Sequence, residues 1–204
     1  MSDFIYLASQ SPRRRELLAQ IGVQHELLLP AQHEDAESLE QVLLGEAPMV
    51  YVQRVTALKL IAARARLARV GGRNAPILCA DTTVALGAEI LGKPQDAADA
   101  RRVLRALAGQ THRVFTAIAI GWNERTVHAC CESLVTFAPL SEADIADYVA
   151  SGECMGKAGA YGVQGRAAAF IARMEGSYSG IMGLPLFETA QALRDIGFAC
   201  NKTS

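Results

Sequence analysis

The chain has no CxxC pair, no HxH or HxxxH spacing and no GKS or GKT tripeptide. Its five cysteines (Cys79, Cys130, Cys131, Cys154 and Cys200) are an odd number without paired spacing, which argues against a disulfide framework and against structural zinc. With the four histidines, His25, His33, His112 and His128, they read as structural or incidental. The missing lysine-serine or lysine-threonine step excludes a P-loop. No apolar run approaches the length of a bilayer span, and no charged-then-apolar leader precedes the first strand, so the expectation is a cytoplasmic protein. Neither sign of charge is in excess: 20 Lys and Arg face 21 Asp and Glu, a net charge of −1. Bulk binding to nucleic acid or to a membrane surface is therefore not favoured. There is no internal repeat, low-complexity tract or long linker. What remains is a chain of 204 residues, half of them apolar, enough for one domain or two closely joined lobes over a substantial core.

The informative stretch is residues 8 to 18, ASQSPRRRELL. A short apolar run from Phe4 to Ala8 reads as a buried strand. Ser11-Pro12 then reads as a helix start, with Ser11 able to cap and Pro12 suited to the first helical position. Leu17, Leu18 and Ile21 give that helix an apolar face. Arg13, Arg14 and Arg15 thus fall in its first turn, where the positive end of the helix dipole disfavours cations unless an anion arrives. A strand, a tight polar turn and guanidinium groups at a helix N-terminus suit a phosphate. The alternative is that the arginines are solvated and paired with Glu16 or other acids.

Further along, His25 to Leu29 resembles a second strand, ended by Pro30. Residues 31 to 47 are polar and acidic and read as a loop with a short helix. Glu34 stands just beyond the strand end, where α/β proteins place working carboxylates, although a solvated loop acid is the plainer alternative. A long amphipathic helix is predicted from Pro48 to Val70, with Val52, Val55, Leu58 and Ala62 as its apolar stripe and with Arg54 and Lys59 on other faces. Ile77 to Ala80 reads as a compact buried strand with Asp81-Thr82-Thr83 directly after it. A carboxylate there requires a cation, a metal or hydrogen bonds. A hairpin turning at Gly87 follows, closed by Lys93-Pro94. Asp96 is expected to cap a helix to Ala108. Two long antiparallel strands are expected at 112–121 and 125–138, and a near capping box opens a helix at Ser141. Residues 152 to 165 are glycine-rich. Ala167 to Met174 reads as a strand, and Leu184-Pro185 opens a last helix to Ile196. The mixture of hairpins and crossovers argues an α/β fold with a mixed sheet.

These segments also resemble the Maf family of nucleoside triphosphate pyrophosphatases. The likeness is carried by ASQSPRRRELL, YVQRVTALK (51–59), LCADTTVALGAEILGKP (78–94), AGQTHRVFTAIAI (108–120), KAGAYGVQGRAAAFI (157–171) and EGSYSGIMGLPLFET (175–189). The resemblance implies one Maf-like domain over residues 1–204. It implies an elongated, twisted mixed sheet flanked by helices, in the Maf/ITPase-like manner, with a cleft between two lobes, and a homodimer. It implies cleavage of a nucleoside triphosphate between the α and β phosphates, giving a monophosphate and pyrophosphate. Asp81 matches the family's proton acceptor and Glu34 is matched to a second functional carboxylate. Ser9, Ser11, Arg13, Arg14, Lys59, Thr82, Lys93 and Gln164 match substrate-binding positions, with Arg13, Thr82 and Gln164 tied to substrate choice.

On chemistry alone, Arg13, Arg14, Lys59 and Lys93 can neutralise phosphate charge and stabilise a leaving group. Asp81 can deprotonate water, or hold a divalent ion that acidifies it with Glu34 as partner; magnesium or manganese suits such oxygen ligands. The 157–165 segment resembles the branch acting on dTTP and UTP, and the side-by-side donor and acceptor of Gln164 suit the imide edge of thymine or uracil. Two other functions fit the same pocket: a nucleotide-binding regulator of septum formation with little catalysis, and a 7-methyl-GTP pyrophosphatase. The sequence departs from the family at Gly156, where an acid is usual before Lys157, and in a longer stretch around Leu43 to Met49.

Overall fold

The computed structural model describes residues 2–31, 34 and 38–198. His33 and Cys200, named among the histidines and cysteines above, lie outside the described residues, as do Asp35 and Glu37 of the acidic 31–47 stretch. The sheet has seven strands, β1 (Ile5–Leu7), β2 (His25–Leu27), β3 (Ile77–Leu86), β4 (Glu89–Leu91), β5 (Thr111–Trp122), β6 (Arg125–Phe137) and β7 (Ile171–Glu175). They lie in the order β2-β1-β3-β5-β6-β7, with β4 also paired to β3. The first three in that order are parallel and the remaining pairings antiparallel. The helices are α1 (Pro12–Gln20), α2 (Pro48–Val70), α3 (Ala97–Leu107), α4 (Glu142–Ala150), α5 (Tyr178–Met182) and α6 (Leu186–Ile196). The expected α/β fold with a mixed, helix-flanked sheet is what the chain forms.

Local chemistry accounts for many of the boundaries. Pro48 opens α2 and Gly71, at φ 62°, closes it in the left-handed conformation that glycine adopts without strain. Asp96 caps α3 by accepting from Asp99 N at 2.8 Å. Ser141 and Asp144 complete a full capping box on α4. The Gly87-Ala88 turn joins β3 to β4, with Leu86 paired to Glu89.

The structure departs from the sequence reading in four places. First, β3 does not stop at Ala80 but runs ten residues to Leu86. Asp81, Thr82 and Thr83 lie within it, because β5 pairs with it throughout, Asp81 opposite Ala117. Only its first two residues pair with β1, Tyr6 with Ile77 and Leu7 with Leu78. Asp81 therefore stands beyond the carboxyl end of β1, where a parallel sheet opens a crevice. Second, the inward face of α2 keeps Val52 and Val55 of the expected stripe but not Leu58 and Ala62. Its buried residues include Tyr51, Val52, Val55, Thr56, Leu60, Ala63 and Arg66, while Leu58 and Ala62 are only partly buried. Lys59 lies between these inward positions, because acids below it neutralise its charge. Third, residues 166 to 170 form a 3₁₀ turn and β7 begins only at Ile171. Fourth, the short helix α5, capped by Ser177, precedes α6 and had no sequence signal.

The apolar core of the described residues gathers in four clusters, two of them packed by α2 residues such as Val52, Val55 and Leu60. One cluster joins Val103, Leu104, Leu107, Val135, Phe137, Ile145, Tyr148 and Tyr161 around α3 and α4. Another joins Ile5, Leu7, Leu17, Leu18, Ile118, Ile120 and Leu193 beneath α1 and α6. The four described cysteines are free. Burial pushes the Cys79 thiol up to about 12 and that of Cys130 up to about 11, so neither is a ready nucleophile.

His112 is buried in the first cluster. Its Nε2 lies 2.8 Å from the Tyr161 hydroxyl, and its Nδ1 has no partner among the described residues. Burial pushes it down to about 4. The folded state thus resists protonating a group that titrates near 6.5 when unfolded. Its contribution is whole above that pH and is lost as pH falls toward 4. The unfolding midpoint of the wild type should fall over this window, and His112→Gln should flatten that fall. Calorimetry from pH 7 to 4 measures it.

Candidate active site

A cleft of about 910 Å³ opens at the end of the parallel strands. Its lining includes Ser9, Ser11, Arg13, Arg14, Glu34, Glu40, Lys59, Asp81, Thr82, Lys93, Lys157, Tyr161 and Gln164. All ten residues singled out from the sequence border this one cavity.

The helix start supplies its cations. Pro12 occupies the first turn of α1 as expected, but the Ser11 side chain makes no capping hydrogen bond. Ser9 takes over part of that duty: its Oγ accepts from Ser11 N at 3.2 Å and from Arg14 Nη1 at 3.0 Å. Arg14 Nε donates to the Gly183 carbonyl at 2.8 Å and Nη2 to Thr82 Oγ1 at 3.4 Å. Thr82 is itself tied to Thr116 at 2.9 Å, and Thr116 donates to the Gly180 carbonyl. Arg13 Nε donates to the Met182 carbonyl at 3.3 Å. Two of the three arginines are therefore aimed into the cleft by backbone carbonyls of the α5 end. Arg15 is exposed and does not line the cleft. Glu16 pairs with none of them.

The carboxylates are arranged differently from expectation. Asp81 Oδ1 receives Lys59 Nζ at 2.6 Å. The same Nζ donates to Glu40 Oε1 at 2.7 Å, and Lys93 Nζ donates to Glu40 Oε2 at 2.8 Å. Glu40, which the sequence reading left among the loop acids, thus bridges two lysines beside Asp81. Its segment is anchored where the Tyr51 hydroxyl donates to the Glu40 carbonyl at 2.9 Å. Burial raises the Glu40 carboxyl, but the charge and hydrogen bond of Lys59, then Lys93, outweigh it and the net shift is downward.

Glu34 sits at the cleft rim, but its carboxylate is committed elsewhere. Oε2 accepts from Arg66 at 2.6 Å and 3.0 Å, and Oε1 from Arg69 at 2.5 Å. Hydrogen bonds from Arg66 above all, outweighing burial, hold it down to about 2. Arg66 lies about two helical turns beyond Lys59 on α2, so the structure shows no contact of Glu34 with Asp81. No local pattern distinguishes Glu40 from its acidic neighbours. The usable signal was indirect: Lys59 and Lys93 need a common anion, and a loop acid was the available source.

Ion pairing divides the cations into two sets. Lys59 and Lys93 are already matched by Asp81 and Glu40. Arg13, Arg14 and Lys157 line the cleft without a carboxylate partner among the described residues. Burial lowers the Arg14 guanidinium, opposed chiefly by Asp81. Burial, then the charge of Arg13, lowers Lys157, whose Nζ donates only to the Glu153 carbonyl. Charges held this way lack a counter-anion, and a polyphosphate would supply one. The Gln164 side chain is exposed at the cleft and makes no hydrogen bond to a described residue, so its amide is available to a ligand.

Among the described residues no group of three or more His, Cys, Asp or Glu could hold a metal ion by itself. Magnesium does not need such a cage, because one or two carboxylates plus substrate phosphates commonly suffice. Asp81 and Glu40, brought together on Lys59, fit that pattern by position, whereas Glu34 is tied to Arg66 and Arg69 and makes no contact with Asp81.

A helix-flanked mixed sheet whose strand-borne aspartate faces an unmatched cationic helix start defines a polyphosphate-binding hydrolytic cleft. The chain belongs to the Maf family: the Maf-like protein family profile matches residues 4–196. It is 64% identical over 198 residues to a protein of Albidiferax ferrireducens named dTTP/UTP pyrophosphatase, covering 97% of this chain and 99% of that one. A protein of the same name from Polaromonas sp. is 61% identical over 196 residues, covering 96% and 97%. One from Ralstonia nicotianae is 64% identical over 190 residues, covering 93% and 92%.

Proposed function

We propose that the protein is a nucleoside triphosphate pyrophosphatase acting on dTTP and UTP. The single observation that carries this is the placement of Asp81 and the unmatched Arg13 and Arg14 around one cleft, in a chain so close to relatives bearing that name. The triphosphate docks on Arg13, Arg14 and Lys157, and Ser9 and Thr82 hold the Arg14 guanidinium in place. A water attacks the α phosphorus and its proton passes to the Asp81 carboxylate. The water oxygen–phosphorus bond forms as the bond to the bridging αβ oxygen breaks. Pyrophosphate leaves with its charge met by Lys59 and Lys93. Gln164 reads the pyrimidine edge by offering a donor and an acceptor together.

Magnesium or manganese, held by Asp81 and Glu40 with oxygens of the substrate, would supply Lewis-acid polarisation and a more acidic water. Glu40 rather than Glu34 is the second carboxylate of this proposal. A cytoplasmic homodimer completes it. Among the described residues no helix is long and apolar enough to cross a membrane, and the exposed Val42, Leu43, Leu44 and Val50 offer a second copy an apolar surface.

The test is product analysis. With magnesium or manganese, dTTP or UTP should yield the monophosphate and pyrophosphate in equal amounts, resolved by ion-exchange chromatography. Diphosphate and orthophosphate would place the cut at the wrong bond.

A further inference from the structure

We propose that Glu153 is a positioning residue for base selection, holding the turn that presents Gln164. This rests on the reading of Gln164 given above. Gln164 is the third residue of the turn from Gly162 to Gly165, closed by Gly165 N donating to the Gly162 carbonyl at 3.0 Å. That turn lies between two 3₁₀ segments, at 158–160 and 166–170, with no ladder partner to fix it.

Glu153 grips it at both ends. Its Oε2 accepts from Arg166 N, just after the turn, at 3.0 Å. Its Oε1 accepts from the Tyr148 hydroxyl at 3.1 Å, and that hydroxyl accepts from Gly162 N at 3.3 Å. The Tyr148 ring is buried and packs edge-on against Phe170, so the hydroxyl is set by the core. A Cβ on Gly165 would come within 2.0 Å of Glu153 Oε1, so the carboxylate lies directly against the turn and a side chain at 165 would displace it. Glu153 makes no salt bridge to a described residue, and its carboxylate is spent wholly on this segment. Its backbone carbonyl also receives Lys157 Nζ, joining the base-reading turn to a phosphate-facing cation.

The carboxylate supplies the acceptors on which both anchors converge. Glutamine at 153 can keep both contacts, its oxygen accepting from Arg166 N and its N–H₂ donating to the Tyr148 oxygen, whereas leucine removes them at similar size. The turn then loses these anchors and Gln164 its fixed distance from the base. Uracil and cytosine are the informative pair, since they exchange donor and acceptor at the same edge.

The experiment measures kcat/KM for UTP and CTP in wild type, Gln164→Ala, Glu153→Leu, Tyr148→Phe and the Gln164→Ala/Glu153→Leu double variant. Small misplacements of a binding group are costly, so Glu153→Leu should lower the ratio of UTP to CTP efficiency about tenfold. Tyr148→Phe should act in the same direction and keeps the test open should Glu153→Leu fold poorly. The double variant should be no less selective than Gln164→Ala alone, since both changes disable one device. Proportional losses for UTP and CTP would mark general scaffolding and overturn the assignment. Preference erased by Gln164→Ala but intact in both Glu153→Leu and Tyr148→Phe would overturn the positioning role only. Preference intact in Gln164→Ala would refute the reading of Gln164, and this assignment with it.

Discussion

Asp81→Asn should lower kcat about 10³-fold, the scale expected of a missing general base, while the protein stays folded. The substitution preserves shape within β3, whose pairing with β5 runs through this position and does not depend on the side chain. Lys59 loses one anion but keeps Glu40 at 2.7 Å, so no lone buried charge is created. Arg14 loses the neighbour that most offsets its burial, which should weaken nucleotide binding modestly. Steady-state kinetics beside a thermal melt separates these effects: a collapsed kcat, a modest rise in KM and an unfolding midpoint within about 5 °C of wild type. A variant retaining a tenth or more of the wild-type kcat would remove Asp81 from the role of base.

The second large effect is a contrast between two glutamates. Glu40→Gln should reduce kcat about 10²-fold, because it strips the shared anion from Lys59 and Lys93 and one oxygen ligand from the proposed ion site. Glu34→Gln should leave kcat essentially unchanged and lower stability instead, by undoing the fork to Arg66 and Arg69. The sign of its pH dependence is set by a carboxyl held down to about 2. Its stabilisation is complete above the unfolded value near 4.5 and disappears as pH falls through about 2. Melting curves between pH 6 and 2 should therefore be flatter at the acid end for Glu34→Gln. The reverse pattern, a catalytic loss at Glu34 and none at Glu40, would make Glu34 the second carboxylate and overturn the proposed role of Glu40.

That contrast shows where sequence reasoning reached and where it stopped. The strand–turn–helix at the start was legible because Pro12 and the apolar positions after it are local signals. The bounds of α2 were legible for the same reason, from Pro48 and Gly71. Asp81 stood out because a carboxylate at the end of a buried apolar strand requires compensation. The inward turn of Lys59 was not legible: helical periodicity places a lysine outside, and only the tertiary acids Asp81 and Glu40 reverse that preference. Nor was the length of β3, since the end of a strand depends on which neighbour continues, and β5 continues where β1 stops. The contact of Glu40 with both lysines was not legible either, because it depends on chain geometry in a segment without regular periodicity. The grip of Glu153 on the Gln164 turn joins residues on either side of a glycine-rich stretch that offers no pattern to read.

The two sets of cations in the cleft have a consequence for how this protein can change. In the proposed reaction Arg13, Arg14 and Lys157 receive the polyanion, whereas Lys59 and Lys93 start out paired with Asp81 and Glu40 and turn to the leaving pyrophosphate. Capture and turnover would then rest on separate sets of cations. Drift in one circuit can retune which nucleotides are held, and how tightly, while the other goes on cutting the same bond.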